Sequence, residues 1–390
     1  MLLEMLDAKL ESKEQDMIKI RRYLHAHPEV SYQERETSKY IAQFYQDKDV
    51  EITTNVGGYG IKVVIDTKRA GKNIAIRADF DALAIPDETG TEYASIYPGI
   101  SHACGHDAHT AYLMKLAETF IEMRDNLAGK ITIIHQPAEE LPPGGAQFMI
   151  EDGVLEGVDE IYGIHVMSTM DFGNIFYHHG NTMQARAKFE ITLKGNGGHG
   201  ASPHEANDSI VAASHLVVAL QTIVSRRLNP FESGVVTIGE FRGTGQFNVI
   251  KDSVKLVGDV RSMSSKTGQL LQQQITQIVH GIGQTFGCDV IFDYKNDYPV
   301  LFNNHELTDS VVTILNEYKI GEVKDSGLLS PSEDFAYYSQ IIPACFFFVG
   351  AKPNGPFYPH HHPKFNIDER SLLISAKAMG RVVLRAMNLI

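Results

Sequence analysis

The sequence predicts an α/β protein: a mixed-sheet α/β/α domain interrupted by an inserted ferredoxin-like α+β unit. Two observations carry this reading. Strand-like runs in the first half end repeatedly in charged or imidazole side chains, as happens where an open α/β sheet presents a site. Around Gln184 the order of elements then changes to β-α-β-β-α-β, the pattern of a ferredoxin-like unit. The interrupted domain is accordingly placed at 1–184 and 296–390, and the insert at 185–295.

Taken in order, apolar spacing predicts amphipathic helices over 11–24 and 34–45. Strands follow at 61–65, 73–78, 130–135 and 160–164. The insert reads as strand 186–194, helix 208–227, strands 234–241 and 252–260, a Gln-rich helix 266–286, and strand 288–294. The first domain resumes with a helix over 307–318. Glu333 and Asp334 open a further helix, where they suit its positive dipole end. A core strand at 345–349 follows, and Asp368-Glu369 starts a final helix.

Composition narrows the function. The 390 residues are 43% hydrophobic and 21% charged, ample for a large core. Lys plus Arg total 35 against 48 Asp plus Glu, a net charge of -13, which argues against nucleic acid or an anionic membrane as partner. No apolar run is expected to reach the ~18 residues that cross a bilayer. The acidic start, Met-Leu-Leu-Glu-Met-Leu-Asp, is unlike a signal peptide. Cys104, Cys288 and Cys345 are far apart, and the last two read as core residues. A disulfide framework is therefore not expected, and a reducing cytoplasm is.

The chemistry concentrates in Ser101-His-Ala-Cys-Gly-His-Asp-Ala-His109. Thiol and imidazole together suit zinc-like dications, although histidines in a turn also serve as packing or surface residues. Cys104 and His106 lie where a loop opens a helix. Asp79 and Asp81 stand at the end of the strand over 73–78, with a sheet-capping salt bridge the competing account of Asp81. Glu139 and Glu140 follow the strand over 130–135. Neighbours on an extended segment point opposite ways, so one can bind metal while the other acts as general base. His165 follows a fourth strand. Tyr358-Pro-His360-His361-His362-Pro offers one more imidazole from a proline-flanked loop. His25 and His27, beside Pro28, read as a structural turn. In the insert, Gly195-Asn-Gly-Gly-His199-Gly is either a mobile loop or a close approach to ligand.

These segments together resemble the dinuclear-metal amidohydrolases and peptidases that include aminoacylases, carboxypeptidase G, hippurate hydrolase and the indoleacetyl-amino acid hydrolases, the last subgroup most of all. The matching stretches are Leu24-His-Ala-His-Pro-Glu, Arg77-Ala-Asp-Phe-Asp-Ala-Leu, His102-Ala-Cys-Gly-His-Asp-Ala-His, Gln136-Pro-Ala-Glu-Glu, Gly163-Ile-His, Gly197-Gly-His-Gly and His361-His-Pro-Lys-Phe. The resemblance implies a zinc-exopeptidase-like catalytic domain, an insert acting as lid and dimerisation domain, and a homodimer. It implies two divalent ions per subunit, Zn or Mn first and Co or Ni as alternatives. Cys104 would bridge them, His106 and His165 completing one site and Glu140 and His361 the other. Glu139 would be the general acid/base, and His199 from the partner subunit would stabilise the oxyanion. Asp79 would stand behind the ligands. Arg77 and Cys104 take the places of a histidine and a bridging aspartate of the wider family. Asn248 and Arg261 are the candidates for the substrate carboxylate.

The implied reaction is hydrolysis of N-acyl (acetyl or aromatic acyl) amino acids to a carboxylic acid and an amino acid. A dipeptidase or carboxypeptidase, or an N-acetyldiaminopimelate deacetylase, is the near alternative. A non-catalytic metal- or peptide-binding protein on the same fold is the alternative of another class.

Overall fold

A computed structural model describes residues 2–390. The chain forms two compact units, Met1–Thr182 with Phe302–Leu328 and Asp334–Ile390, and Met183–Leu301 with Leu329–Glu333. The insert proposed for 185–295 lies within the second. The return of Leu329–Glu333 to that unit has no signal in the sequence.

Three helices open the first unit, not two: α1 (Leu2–Ser12), α2 (Glu14–Ala26) and α3 (Arg35–Tyr45). Leu6 and Leu10, one turn apart, are both fully buried, and this pair gives the first helix its own anchorage. Strand β1 (Glu51–Val56) was also not expected. Its Thr53, Thr54 and Asn55 are exposed, so it carries no apolar alternation and lies at the sheet edge. The sheet continues with β2 (Gly60–Asp66), β4 (Lys130–Gln136), β3 (Asn73–Asp79) and β5 (Glu160–Met167), then Ala344–Gly350, Ile175–Tyr177 and Val323–Asp325. It is mixed: β3 pairs in parallel with β4 and β5, while β2 pairs antiparallel with β1 and β4.

Strand Ala344–Gly350 is buried at every position, as its unbroken apolar run requires of an interior strand covered on both faces; it pairs in parallel with β5 and antiparallel with Ile175–Tyr177. Cys345, Phe347 and Val349 enter the main core. Phe346 turns the other way, its ring centroid 4.8 Å from that of Phe335. Burying a side chain such as Phe347 contributes roughly 2–3 kcal/mol. Helix α4 (His106–Glu122) is buried on nearly every side, between the sheet, α2 and the C-terminal helix Ser371–Ala386. That packing holds its first turn still. The final helix begins at Ser371, after Asp368 and Glu369; Glu369 instead pairs with Arg21 and Arg22.

In the second unit a four-stranded antiparallel sheet runs Gly234–Arg242, Ser253–Ser262, Ala185–Lys194, Asp289–Tyr298. Helices Ser209–Thr222 and Ser265–Phe286 pack on it. Phe189, Ile191 and Leu193 point inward on alternate residues, and Leu271, Ile275 and Val279 recur at helical spacing to meet them. Gly258 is required opposite Phe189, because a Cβ there would lie 2.1 Å from the ring. Asp208 and Ser264 cap the two helices through their side chains. The helical stretch Ser209–Arg227 is long and apolar enough to cross a membrane by length and composition, although Ala212, Ala213, Leu216, Leu220 and Ile223 are core residues of this unit.

Candidate metal centre

Four elements of the first unit carry the candidate ligands to one end of the sheet. Strand β3 ends in Asp79, and Asp81 follows it. Gly105 caps α4 at φ +96°, a left-handed conformation that glycine adopts freely. A Cβ there would also lie 2.7 Å from Val166. This turn sets Cys104 and His106 side by side. Strand β4 leads through Pro137 and Ala138 to Glu139 and Glu140. His165 lies within β5, not after it. The last donor, His361, takes φ +65° while its N–H donates to the Ala103 carbonyl at 2.8 Å.

The donor atoms of Cys104, His106 and His165 all lie within 4.8 Å of one another. So do those of Cys104, Glu140 and His361, and those of His106, Glu139 and Glu140. Cys104 thus belongs to two triads. Its Sγ is 3.5 Å from His165 Nε2, and His361 Nε2 is 3.2 Å from Glu140 Oε1.

Hydrogen bonds on the far side of each ring aim the lone pairs inward. His106 Nδ1 donates to the Asp81 carbonyl at 3.0 Å, with Asp81 Oδ1 at 3.1 Å. His106 Nε2 then faces the cluster, buried and without a hydrogen-bond partner. His165 Nδ1 donates to the Val166 carbonyl at 2.8 Å, leaving Nε2 toward the thiol. Such outer partners orient metal-binding imidazoles. His360 is occupied otherwise: its Nε2 accepts from Ser168 N and its Nδ1 donates to the Cys104 carbonyl. His362 accepts from Lys364 N and stacks on Tyr358. Among the three adjacent histidines and among the described residues, His361 alone enters a donor cluster.

The electrostatics agree with a cation site. Burial, reinforced by Glu140 and Glu139, pushes the Cys104 thiol far above its usual range. A thiolate there therefore needs a positive partner. Burial would lower His106, but Asp79 and Asp81 outweigh it and raise the imidazole to about 10, so the pocket favours positive charge at Nε2, which a bound cation would supply in place of the proton. Burial and neighbouring imidazoles hold His165 well below its usual value and so neutral. An orphaned imidazole nitrogen, a thiol and paired carboxylates are the donor set a zinc-like dication takes. The residues fit a metal pair.

Asp79 stands behind this cluster, accepting from Arg77 and His109 at 2.6 Å each, with His106 Nε2 3.7 Å away. Two partners were missed. His109 lies one turn after His106 on α4, a spacing that could have revealed it. It accepts from Val166 N at 2.9 Å. Asp334 does not cap the short helix Ala336–Ser339 as expected, since no side chain caps it. It is buried, and accepts instead from Arg77, Gln136 and the Ala146 amide. His25 is also structural, donating to Asp107 beside the buried Arg21.

His199, Asn248 and Arg261 belong to the second unit and enter none of these clusters. His199 is exposed on a short ribbon in which Gly198–His199 pairs with Val249–Ile250. The Asn248 carbonyl accepts from Gly200 N at 2.8 Å. Arg261 is bound to Asp259 and Ser332.

Comparison with known proteins agrees with the geometry. Residues 75–385 match the model of peptidase family M20/M25/M40. N-acetyl-L-cysteine deacetylase of Bacillus subtilis is 38% identical over 364 residues, 93% of this chain and 86% of that protein. A crystal structure from methicillin-resistant Staphylococcus aureus is 55% identical with a TM-score of 0.96, covering 98% of this chain and 99% of that one. The YXEP protein of B. subtilis, described as a dinuclear metal binding peptidase from the M20 family, is 30% identical with a TM-score of 0.84 and covers 97% and 100%. The chain therefore belongs to peptidase family M20/M25/M40, and it is a hydrolase of amide bonds.

Proposed function

We propose that the protein is a metal-dependent amidohydrolase that cleaves N-acyl amino acids to a carboxylic acid and a free amino acid. The observation that carries this is the sharing of Cys104 between two donor triads, with Glu139 grouped with His106 of one and Glu140 of the other. The likeness to an N-acetyl-L-cysteine deacetylase and to a dinuclear metal binding peptidase supports the same reading. Cys104, His106 and His165 would hold one ion and Cys104, Glu140 and His361 the other, with Zn or Mn suited to the donors. When bound, such a pair supplies a water of lowered pKa and a Lewis acid for the carbonyl oxygen.

The chain's own part follows from its side chains. Glu139 accepts the proton of the attacking water and returns it to the leaving nitrogen. Asp81 and the Val166 carbonyl keep His106 and His165 in the tautomers that leave Nε2 unprotonated. Asn248 and Arg261 bind the substrate carboxylate. His199 of a second copy donates to the developing oxyanion, a contact typically worth ~3 kcal/mol. A homodimer through the second unit supplies it. Strand Gly234–Arg242 ends the four-stranded sheet, and among the described residues its outer edge is unpaired and open to such pairing.

The test is metal analysis of the purified protein, with turnover measured on a panel of acetyl and aromatic-acyl amino acids. Glu139→Gln should abolish hydrolysis and keep the metal. Unchanged turnover would remove Glu139 from this role, and no cleavage across the panel by metal-loaded wild type would refute the substrate class.

A further inference from the structure

The segment that presents Glu139 and Glu140 is an awkward piece of chain. Ala138, immediately before them, has φ +54°, a conformation that non-glycine residues hold only when their surroundings enforce it. One short turn far away in sequence supplies the enforcement. Glu34, fully buried, accepts from the Ala138 amide through Oε1 at 2.8 Å. The Tyr32 hydroxyl donates to the Leu141 carbonyl at 2.9 Å and accepts from Gly144 N at 3.1 Å. Ser31 Oγ donates to Asp81 Oδ2 at 2.7 Å, and the same oxygen accepts from Glu140 N at 3.0 Å. Thus Glu34 holds the loop at its start, Ser31 reaches its middle through Asp81, and Tyr32 holds its end.

The turn is itself held in an uncommon shape. Tyr32 has φ +64°. Glu34 sits at the N-cap of α3, yet its side chain makes no capping bond. It reaches Ala138 instead. A carboxyl buried there without a cation in ion-pair distance, among the described residues, has no evident stabilising role of its own. Its carboxyl lies near Asp81, and burial followed by Asp81 raises it to about 8 against the lowering effect of backbone hydrogen bonds. At neutral pH it is therefore mostly protonated, and its Oε1 still accepts from Ala138.

We infer that the turn Ser31-Tyr32-Gln33-Glu34 is a clamp that fixes the Glu139–Glu140 loop, with Glu34 a positioning residue acting through the Ala138 amide. This rests on the hydrolytic reading of Glu139. A base displaced by a fraction of an ångström still sits beside the cluster but transfers its proton poorly, so kcat is affected more than substrate or metal binding.

The test uses the metal-loaded full chain, with wild type and Glu139→Gln as references. Glu34→Ala should lower kcat about tenfold with KM within about twofold and metal content unchanged. Glu34→Gln keeps an acceptor for Ala138 and should restore most of the rate. Amide hydrogen exchange over residues 137–145 should be faster in Glu34→Ala and close to wild type in Glu34→Gln. Equal kcat in wild type and Glu34→Ala overturns the clamp, as does equal impairment in Ala and Gln. If wild type cleaves nothing, the hydrolytic reading fails, and unchanged exchange in Glu34→Ala still refutes the clamp separately. Should Glu34→Ala not fold, Tyr32→Phe removes the clamp's grip on Leu141 and Gly144. It should likewise speed exchange over 137–145, and unchanged exchange overturns the inference.

Discussion

The two units treat polar residues in opposite ways. In the second, strand Ala185–Lys194 alternates inward apolar residues with outward polar ones, and His199 is exposed. In the first, Asp79, Asp81, His106, His109 and Asp334 are all buried where the strands end. Each makes at least one hydrogen bond. Burying that many charges is unfavourable unless each finds a partner. The contrast lies in how polar groups are held: the first unit fixes its ring nitrogens through buried hydrogen bonds, while His199 of the second stands exposed.

That contrast can be broken or sharpened by substitution. The largest effect is expected at the shared thiol. Cys104→Ala should lose metal and more than ~10³-fold in kcat, since both triads lose a member. His199→Ala should keep its metal and lose roughly 10²–10³-fold. Metal analysis beside kinetics separates the two, and metal loss in the His199 variant would erase the distinction. Next comes the buried guanidinium. Arg77→Ala strands the Asp79 and Asp334 carboxylates and should destabilise by ~3–5 kcal/mol, read as a lowered denaturation midpoint. An equal loss in Arg261→Ala, whose partners Asp259 and Ser332 are partly exposed, would contradict the difference between units.

The smallest effect concerns pH. Burial raises Glu34 from its ordinary 4.5 to about 8, so the folded state holds the proton more tightly than the unfolded chain. The stability this confers is complete below the unfolded value and is lost as pH climbs through the folded one. Glu34→Gln should therefore gain in Tm relative to wild type between about pH 5 and about pH 9. A constant difference across that range would deny the shift.

Much of the site was legible because its donors come in short stretches. Cys104 and His106 are two apart, and Glu139 and Glu140 are adjacent. The ferredoxin-like order was legible because each strand and helix carries its own apolar period. Missed were features whose meaning lies in distant partners. Asp334 looked like a helix cap until Arg77 and Gln136 reached it across 257 and 198 positions. β1 carried no period to read.

By itself the sequence determined the kinds of donor, the elements that carry them and the family, because side-chain chemistry and apolar spacing are local properties. The residues by themselves left open which of three consecutive histidines meets Glu140, and only the family resemblance pointed to His361; the physical reason is tertiary, since Ser168 and Lys364 already occupy ring nitrogens of the other two. Tertiary structure alone decided that Glu34 grips Ala138. Hydrogen bonds between residues a hundred positions apart follow from how the chain is folded back, and no local pattern encodes that path.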